Sequence, residues 1–287
     1  MGPGAKNGAP NPGADMTLTR RACCALALAG LCAALMPLSA LAQERVGILM
    51  LHGKSPGNPN DPNFSPLKAR FEGEGWLVRL PDMPWSRTRY LDGNWDHAMQ
   101  EIAGHVRALR GQGATRIVLM GHSMGVPAAM GHAVRGGDVQ ALVLLAPGHV
   151  PLLYDTLPGL SAVHDSIVKA RELVAAGKGG ERERFIDINQ GRQQPLITTA
   201  ANFQSYFDPA GDAEMSVTAP RLPAGLPVFT AVGEKDPLFG RIRAYLVDKL
   251  PANSRNRYLE VPGGHLETPR AAYDAMVEWI KTTVAAP

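Results

Sequence analysis

Short, almost wholly apolar runs alternate along this chain with longer stretches in which apolar residues return every three or four positions. Val46 to Leu51, Thr115 to Met120, Gln140 to Leu145 and Leu226 to Val232 read as strands buried on both faces. Trp76 to Leu80, stopped by Pro81, and Arg257 to Val261 read as two more. Helical spacing marks Asn63 to Glu74, with Phe64, Leu67 and Phe71 on one side and Gly75 closing it. A longer helix, capped by Asp92 or Asn94, runs to Arg110 with Ala98, Ile102, Val106 and Leu109 inward. The last spans Arg270 to Val284 and turns Ala271, Met276, Val277 and Ile280 to the sheet. This alternation predicts an α/β fold, a mostly parallel central sheet with helices on both faces.

One stretch breaks the rhythm. Between Ala146 and Pro220 no strand is evident; Ser161 to Ala176 has helical spacing, and Gly177 to Arg184 reads as a glycine- and charge-rich joint. An insertion placed between two core strands leaves the carboxyl edge of the sheet, so a helical cap over a site is expected at about residues 147–220.

The amino-terminal segment stands apart. Residues 1–15 carry no hydrophobic pattern and are expected to be a leader or a misassigned start, with Met16 the better initiator. From Met16, the pair Arg20 and Arg21, the apolar run Ala22 to Met36, Pro37 and the small-residue site Ala40-Leu41-Ala42 predict a signal peptide over residues 16–42. The run is short for a bilayer, so an exported protein, periplasmic or extracellular, with no membrane span after cleavage is expected, its domain covering residues 43–287. All three cysteines (Cys23, Cys24 and Cys32) fall in the segment to be removed, which excludes disulfides, thiolate metal sites and a cysteine nucleophile from the remainder. Taking Lys6, Arg20 and Arg21 from 29 basic residues and Asp15 from 26 acidic ones leaves 26 against 25. That balance argues against nucleic acid or an anionic membrane as the main partner. The pair Gly111 and Gly113 precedes a strand instead of following one, and Arg116 stands where a third glycine would be, so nucleotide binding is rejected. No motif calls for a metal or another cofactor.

Chemistry concentrates at Gly121-His122-Ser123-Met124-Gly125, which lies between a predicted strand and a predicted helix. A serine at such a turn exposes its hydroxyl, and glycines on either side remove the Cβ atoms that would collide there. The Met124 N–H, at the start of the helix, is placed to stabilise a negative oxygen. A hydroxyl needs a base, and of eight histidines only His265 follows the last predicted strand, in the turn Pro262-Gly263-Gly264-His265. The carboxylate that orients it is expected from Gly233-Glu234-Lys235-Asp236-Pro237: Asp236 first, with Glu234 as competitor. After the first strand, Leu51-His52-Gly53-Lys54-Ser55 supplies a second oxyanion donor, the N–H of Lys54. The Lys54 amine is expected to extend into water, the alternative being a substrate anion. His52 and His122 flank the site as packing and hydrogen-bonding residues, and His149 opens the cap as a candidate pocket residue. Trp85, Trp95, Phe203, Tyr206 and Phe207 are candidate pocket walls, with core packing the better assignment for most.

Together the L-H-G-K turn, the G-H-S-M-G elbow, the G-x-x-D-P loop and the G-G-H turn resemble the α/β-hydrolase superfamily over nearly all of residues 46–285. The resemblance implies an eight-stranded core, its first two strands missing or displaced here. It also implies a serine hydrolase of the esterase and lipase kind, acting on a small-molecule or lipid ester through Ser123, His265 and Asp236. An acyltransferase, thioesterase or peptidase would use the same residues, and a non-catalytic binding protein the same fold.

Overall fold

Parallel pairing of apolar strands builds the centre of the molecule. The computed structural model describes residues 1–2, 44–189 and 191–284. The expected signal peptide with its cleavage site, and all of the expected leader but residues 1–2, lie outside the described residues. Strands β1 (Val46–Leu51), β2 (Leu77–Arg79), β3 (Arg116–Ser123), β4 (Ala141–Pro147), β7 (Val228–Gly233) and β8 (Arg257–Val261) form one sheet in the order β2-β1-β3-β4-β7-β8; β5 (Arg182–Asn189) and β6 (Arg192–Thr199) form a separate pair. Every neighbour in the six-stranded sheet is parallel. Among the described residues the path enters the sheet in its middle at β1, steps out to β2, then crosses to β3 and works toward β8. The direction of travel therefore reverses between β1 and β3, and their following loops diverge to leave a crevice at the carboxyl edge.

Alternation along each strand divides its side chains between two cores. Leu49, Leu51, Leu119, Leu142 and Leu144 face one side, where helices α2 (Trp95–Gly111) and α3 (Gly125–Val134) cover them. Ile48, Met50, Val118, Met120, Val143 and Leu145 face the other, under α1 (Pro66–Gly73) and α8 (Tyr273–Thr283). A strand covered on both faces must be apolar throughout, which is why these runs were continuous in the sequence. Helix α2 starts where Asn94 accepts the His97 N–H at 2.9 Å, the cap that satisfies an otherwise unpaired donor. Several element ends differ from the sequence pattern, three of them with a visible cause or consequence. Helix α1 begins at Pro66 because Phe64 and Ser65 are held in turns by the Asp61 carbonyl. Strand β3 continues past Met120 to Ser123, since the turn itself still pairs with β4. The last helical stretch is split into Thr268–Ala271 and α8.

The insertion between β4 and β7 carries α4 (Pro151–Thr156), α5 (Ser161–Ala175), the β5–β6 hairpin and α6 (Ala200–Phe207), with α7 (Phe239–Tyr245) following β7. The hairpin corrects the expectation that this region lacks strands. Arg182 and Arg184, expected in a joint, are outward, exposed positions of an alternating strand whose Phe185 and Asp187 point inward. Charge at the outward positions and an acid at an inward one concealed the period of two. The stacked rings of Phe185, Phe203 and Phe207, with centroids 4.4 and 4.2 Å apart, bind hairpin to α6. Among the described residues no helix is long and apolar enough to cross a membrane.

Candidate active site

Ser123 closes β3 with φ 55°, left-handed backbone that costs a residue with a side chain about 1–3 kcal/mol. Packing holds it there. A Cβ on Gly121 would lie 2.1 Å from the Gly125 carbonyl oxygen, and one on Gly125 would lie 2.1 Å from that of Leu51. Strand β3 and helix α3 thus fold back on each other, and on β1, more closely than any side chain permits. Gly148, just beyond β4, plays a different part. A Cβ there would sit 2.7 Å from Ser123 Oγ and 3.3 Å from His265 Cε1, so hydroxyl and imidazole border the same gap. Among the described residues no hydrogen bond yet joins the two; such contacts commonly tighten only when substrate is bound.

His265 Nδ1 donates to Asp236 Oδ2 at 2.7 Å, which leaves Nε2 as the acceptor facing outward. Asp236 is buried, and its other oxygen accepts the Leu238 N–H at 2.8 Å. Glu234 is exposed and meets His265 nowhere. The turn carrying His265 is fastened at three points. Glu267 Oε2 accepts the Gly264 N–H at 2.9 Å, Thr268 Oγ1 donates to the Gly264 carbonyl at 2.8 Å, and His122 Nε2 donates to the His265 carbonyl at 3.1 Å. His122 packs on Phe64 at 5.6 Å between centroids, and burial, then the neighbouring His265, pushes its pKa down to about 4. It is a neutral donor at neutral pH.

The other flanking histidines are also structural in their contacts. His52 Nδ1 donates to the Gly53 carbonyl at 2.7 Å while Nε2 accepts the Met83 N–H at 3.1 Å, and burial lowers its pKa. His149 donates to the Tyr206 carbonyl at 2.7 Å; burial, then the Lys54 charge, pushes its pKa down to about 3. The two main-chain N–H groups expected as oxyanion donors flank Ser123. Met124 is the N-cap of α3, and a Cβ on Gly53, next to Lys54, would lie 3.3 Å from Ser123 Cβ. The Lys54 N–H has no hydrogen-bond partner among the described residues.

The Lys54 amine does not extend into water. It is buried and donates to Asp187 Oδ1 at 2.7 Å and to the Ile188 carbonyl at 2.6 Å. The hairpin, unseen in the sequence, supplies both partners, so the expectation of a solvated amine is corrected and a substrate anion finds no free charge there.

A cavity of about 400 Å³ opens over Ser123 and His265. Its apolar wall is aliphatic, formed by Leu153, Leu157, Leu160, Ile188 and Leu238, with His149 and Tyr154 beside them. Trp85, Trp95, Phe203, Tyr206 and Phe207 are buried in the core instead. Sequence reasoning missed Asp187, Tyr90, Gly148 and Glu267. Only Asp187 left a signal, as an acid inside the apolar run Phe185-Ile186-Asp187-Ile188.

Comparison with known proteins agrees with the fold. Residues 48–277 match the family model described as the alpha/beta hydrolase family. No curated protein sequence matches. Among solved structures, a thermostable carboxyl esterase from Bacillus coagulans, in complex with glycerol, is similar at TM-score 0.60 and 14% identity, over 84% of this chain and 91% of that one. Est1E of Butyrivibrio proteoclasticus, with ferulic acid bound, is similar at TM-score 0.57 and 16% identity, over 88% and 94%. A protein of Agrobacterium vitis S4 assigned to the hydrolases gives TM-score 0.57 and 20% identity, over 84% and 88%. At these identities the structures speak for the fold alone.

Proposed function

The chain belongs to the alpha/beta hydrolase family, and from that premise we propose that it is a serine hydrolase cleaving carboxylic esters through an acyl-enzyme. The observation that carries the reading is the gap beside Gly148, bordered by the Ser123 hydroxyl and by a His265 ring locked onto Asp236 at 2.7 Å. In this reading His265 Nε2 removes the hydroxyl proton as Ser123 Oγ attacks the ester carbonyl carbon. Asp236 keeps the other nitrogen protonated and offsets the positive charge that forms on the ring. The carbonyl oxygen, now negative, takes the N–H groups of Met124 and Lys54. Collapse breaks the bond to the alcohol, which leaves with the proton from His265. A water molecule then repeats the sequence on the acyl-serine and releases the acid. The aliphatic cavity under the insertion, read here as a cap, suits an apolar acyl or alcohol group.

Replacing Ser123 with Ala should lower ester turnover by at least about 10³-fold and abolish labelling by a fluorophosphonate probe. Undiminished turnover in that variant ends the reading. Chromogenic esters of rising chain length, run beside a thioester and an amide, separate an esterase from the other reactions this constellation could perform.

A further inference from the structure

The cap hairpin grips the loop after β1 at two successive residues, Lys54 and Ser55. Lys54 Nζ donates to Asp187 Oδ1 and to the Ile188 carbonyl, and the side-chain amide of Asn189 donates to the Ser55 carbonyl. The second oxygen of Asp187 accepts the Tyr90 hydroxyl. Only 6% of the Lys54 side chain and none of that of Asp187 reaches solvent. The remaining face of the ammonium lies 5.7 Å from the ring centres of Tyr154 and Phe207.

Such a pair is a poor device for stability, because desolvating two ions cancels most of their attraction. What it supplies is direction. Two fixed acceptors define where the ammonium sits, and a carboxylate with both oxygens engaged cannot turn. On the opposite side of the loop, Ser55 N–H bonds the Trp85 carbonyl at 2.9 Å and Trp85 Nε1 donates to the His52 carbonyl at 2.8 Å. The Lys54 N–H lies between these contacts, in the Gly53–Lys54 peptide whose carbonyl accepts His52 Nδ1 at 2.7 Å, and has no hydrogen-bond partner among the described residues. An unpaired donor in a fixed orientation needs no reorganisation when charge develops beside it.

We infer that the buried Lys54–Asp187 pair, braced by Tyr90, is a positioning device through which the cap hairpin holds the Lys54 N–H at the oxyanion site. The inference rests on the serine-hydrolase reading, in which that N–H meets the reacting oxygen. Asp187 and Tyr90 touch no reacting atom; they act through Lys54.

The test uses full-length protein carrying Asp187→Asn or Lys54→Met, neither of which removes the N–H itself. Active sites are counted by the nitrophenol burst from a 4-nitrophenyl ester, and kcat is expressed per counted site. A displaced donor should lower per-site kcat about 10- to 100-fold while KM stays within about twofold. A merely structural pair would lower the number of active sites and leave per-site kcat intact, and that result overturns the inference. A rise in KM alone does the same. If both variants fail to fold, Tyr90→Phe decides, since it keeps the ion pair and removes one bond to its carboxylate. A per-site kcat lower by about threefold or more supports the inference, and an unchanged one refutes it. Wild-type protein with neither burst nor turnover would overturn the serine-hydrolase reading, and this inference with it; an active wild type with unaffected variants overturns the inference alone.

Discussion

At the scale of single residues, glycines govern what Ser123 can do. Its left-handed backbone persists because β3, α3 and β1 meet at distances that exclude a Cβ on either side. Gly125 is the harder of the two constraints to relieve, since the obstructing atom is the carbonyl of Leu51 in a buried central strand. Gly125→Ala must push α3 away from β1, and overpacking of this kind should cost about 3 kcal/mol. Urea unfolding would read that as a lower midpoint at unchanged slope, and a midpoint equal to wild type would contradict it. His265 shows the complementary principle. One carboxylate sets its tautomer, and three further bonds set the backbone that carries it.

At the scale of elements, helices and strands contribute by different means. Helix α2 lies over the core along Ala98, Ile102, Val106 and Leu109, but its partly exposed Gly104 adds no contact and loosens the unfolded chain. A Cβ there would approach only Arg107 Nη2, at 3.8 Å. Gly104→Ala should therefore raise stability by about 1 kcal/mol, the opposite sign from Gly125→Ala, and thermal melting would detect the upward shift. The β5–β6 hairpin is held by rings on one side and by the Lys54–Asp187 pair on the other, so it joins the insertion to the loop after β1. Strand β3 was plain in the sequence because Ile117 to Met120 are buried and apolar without a break. Strand β5 was not, because one inward position is an aspartate whose partner lies 133 residues away.

At the scale of the whole molecule, burial of uncharged histidines ties stability to pH. His122 and His149 stay neutral in the fold down to about pH 4 and about pH 3, whereas the unfolded chain takes up protons near pH 6.5. Their folded pKa values are depressed, so below about pH 6.5 the unfolded state binds more protons and stability falls with pH. The loss should run to about 1.4 kcal/mol per pH unit for each histidine until the folded protein is also protonated. Unfolding free energies measured from about pH 7.5 to about pH 5 should decline on the acid side; a flat profile would show that these rings are not held neutral.

From the amino-acid order alone came the parallel α/β layers, the turn at Ser123, and the loops from which a base and an acid would be drawn. Each of these is written within a few neighbouring residues, as continuous burial or as a turn that only glycine permits. Tertiary structure alone decided that Asp236 and not Glu234 meets His265, that Lys54 is buried against a hairpin, and that leucines line the cavity while Trp85, Trp95, Phe203, Tyr206 and Phe207 do not. Those outcomes depend on which distant segments come to rest against one another. No local period or motif encodes that choice, because the free energy that makes it belongs to the assembled contacts.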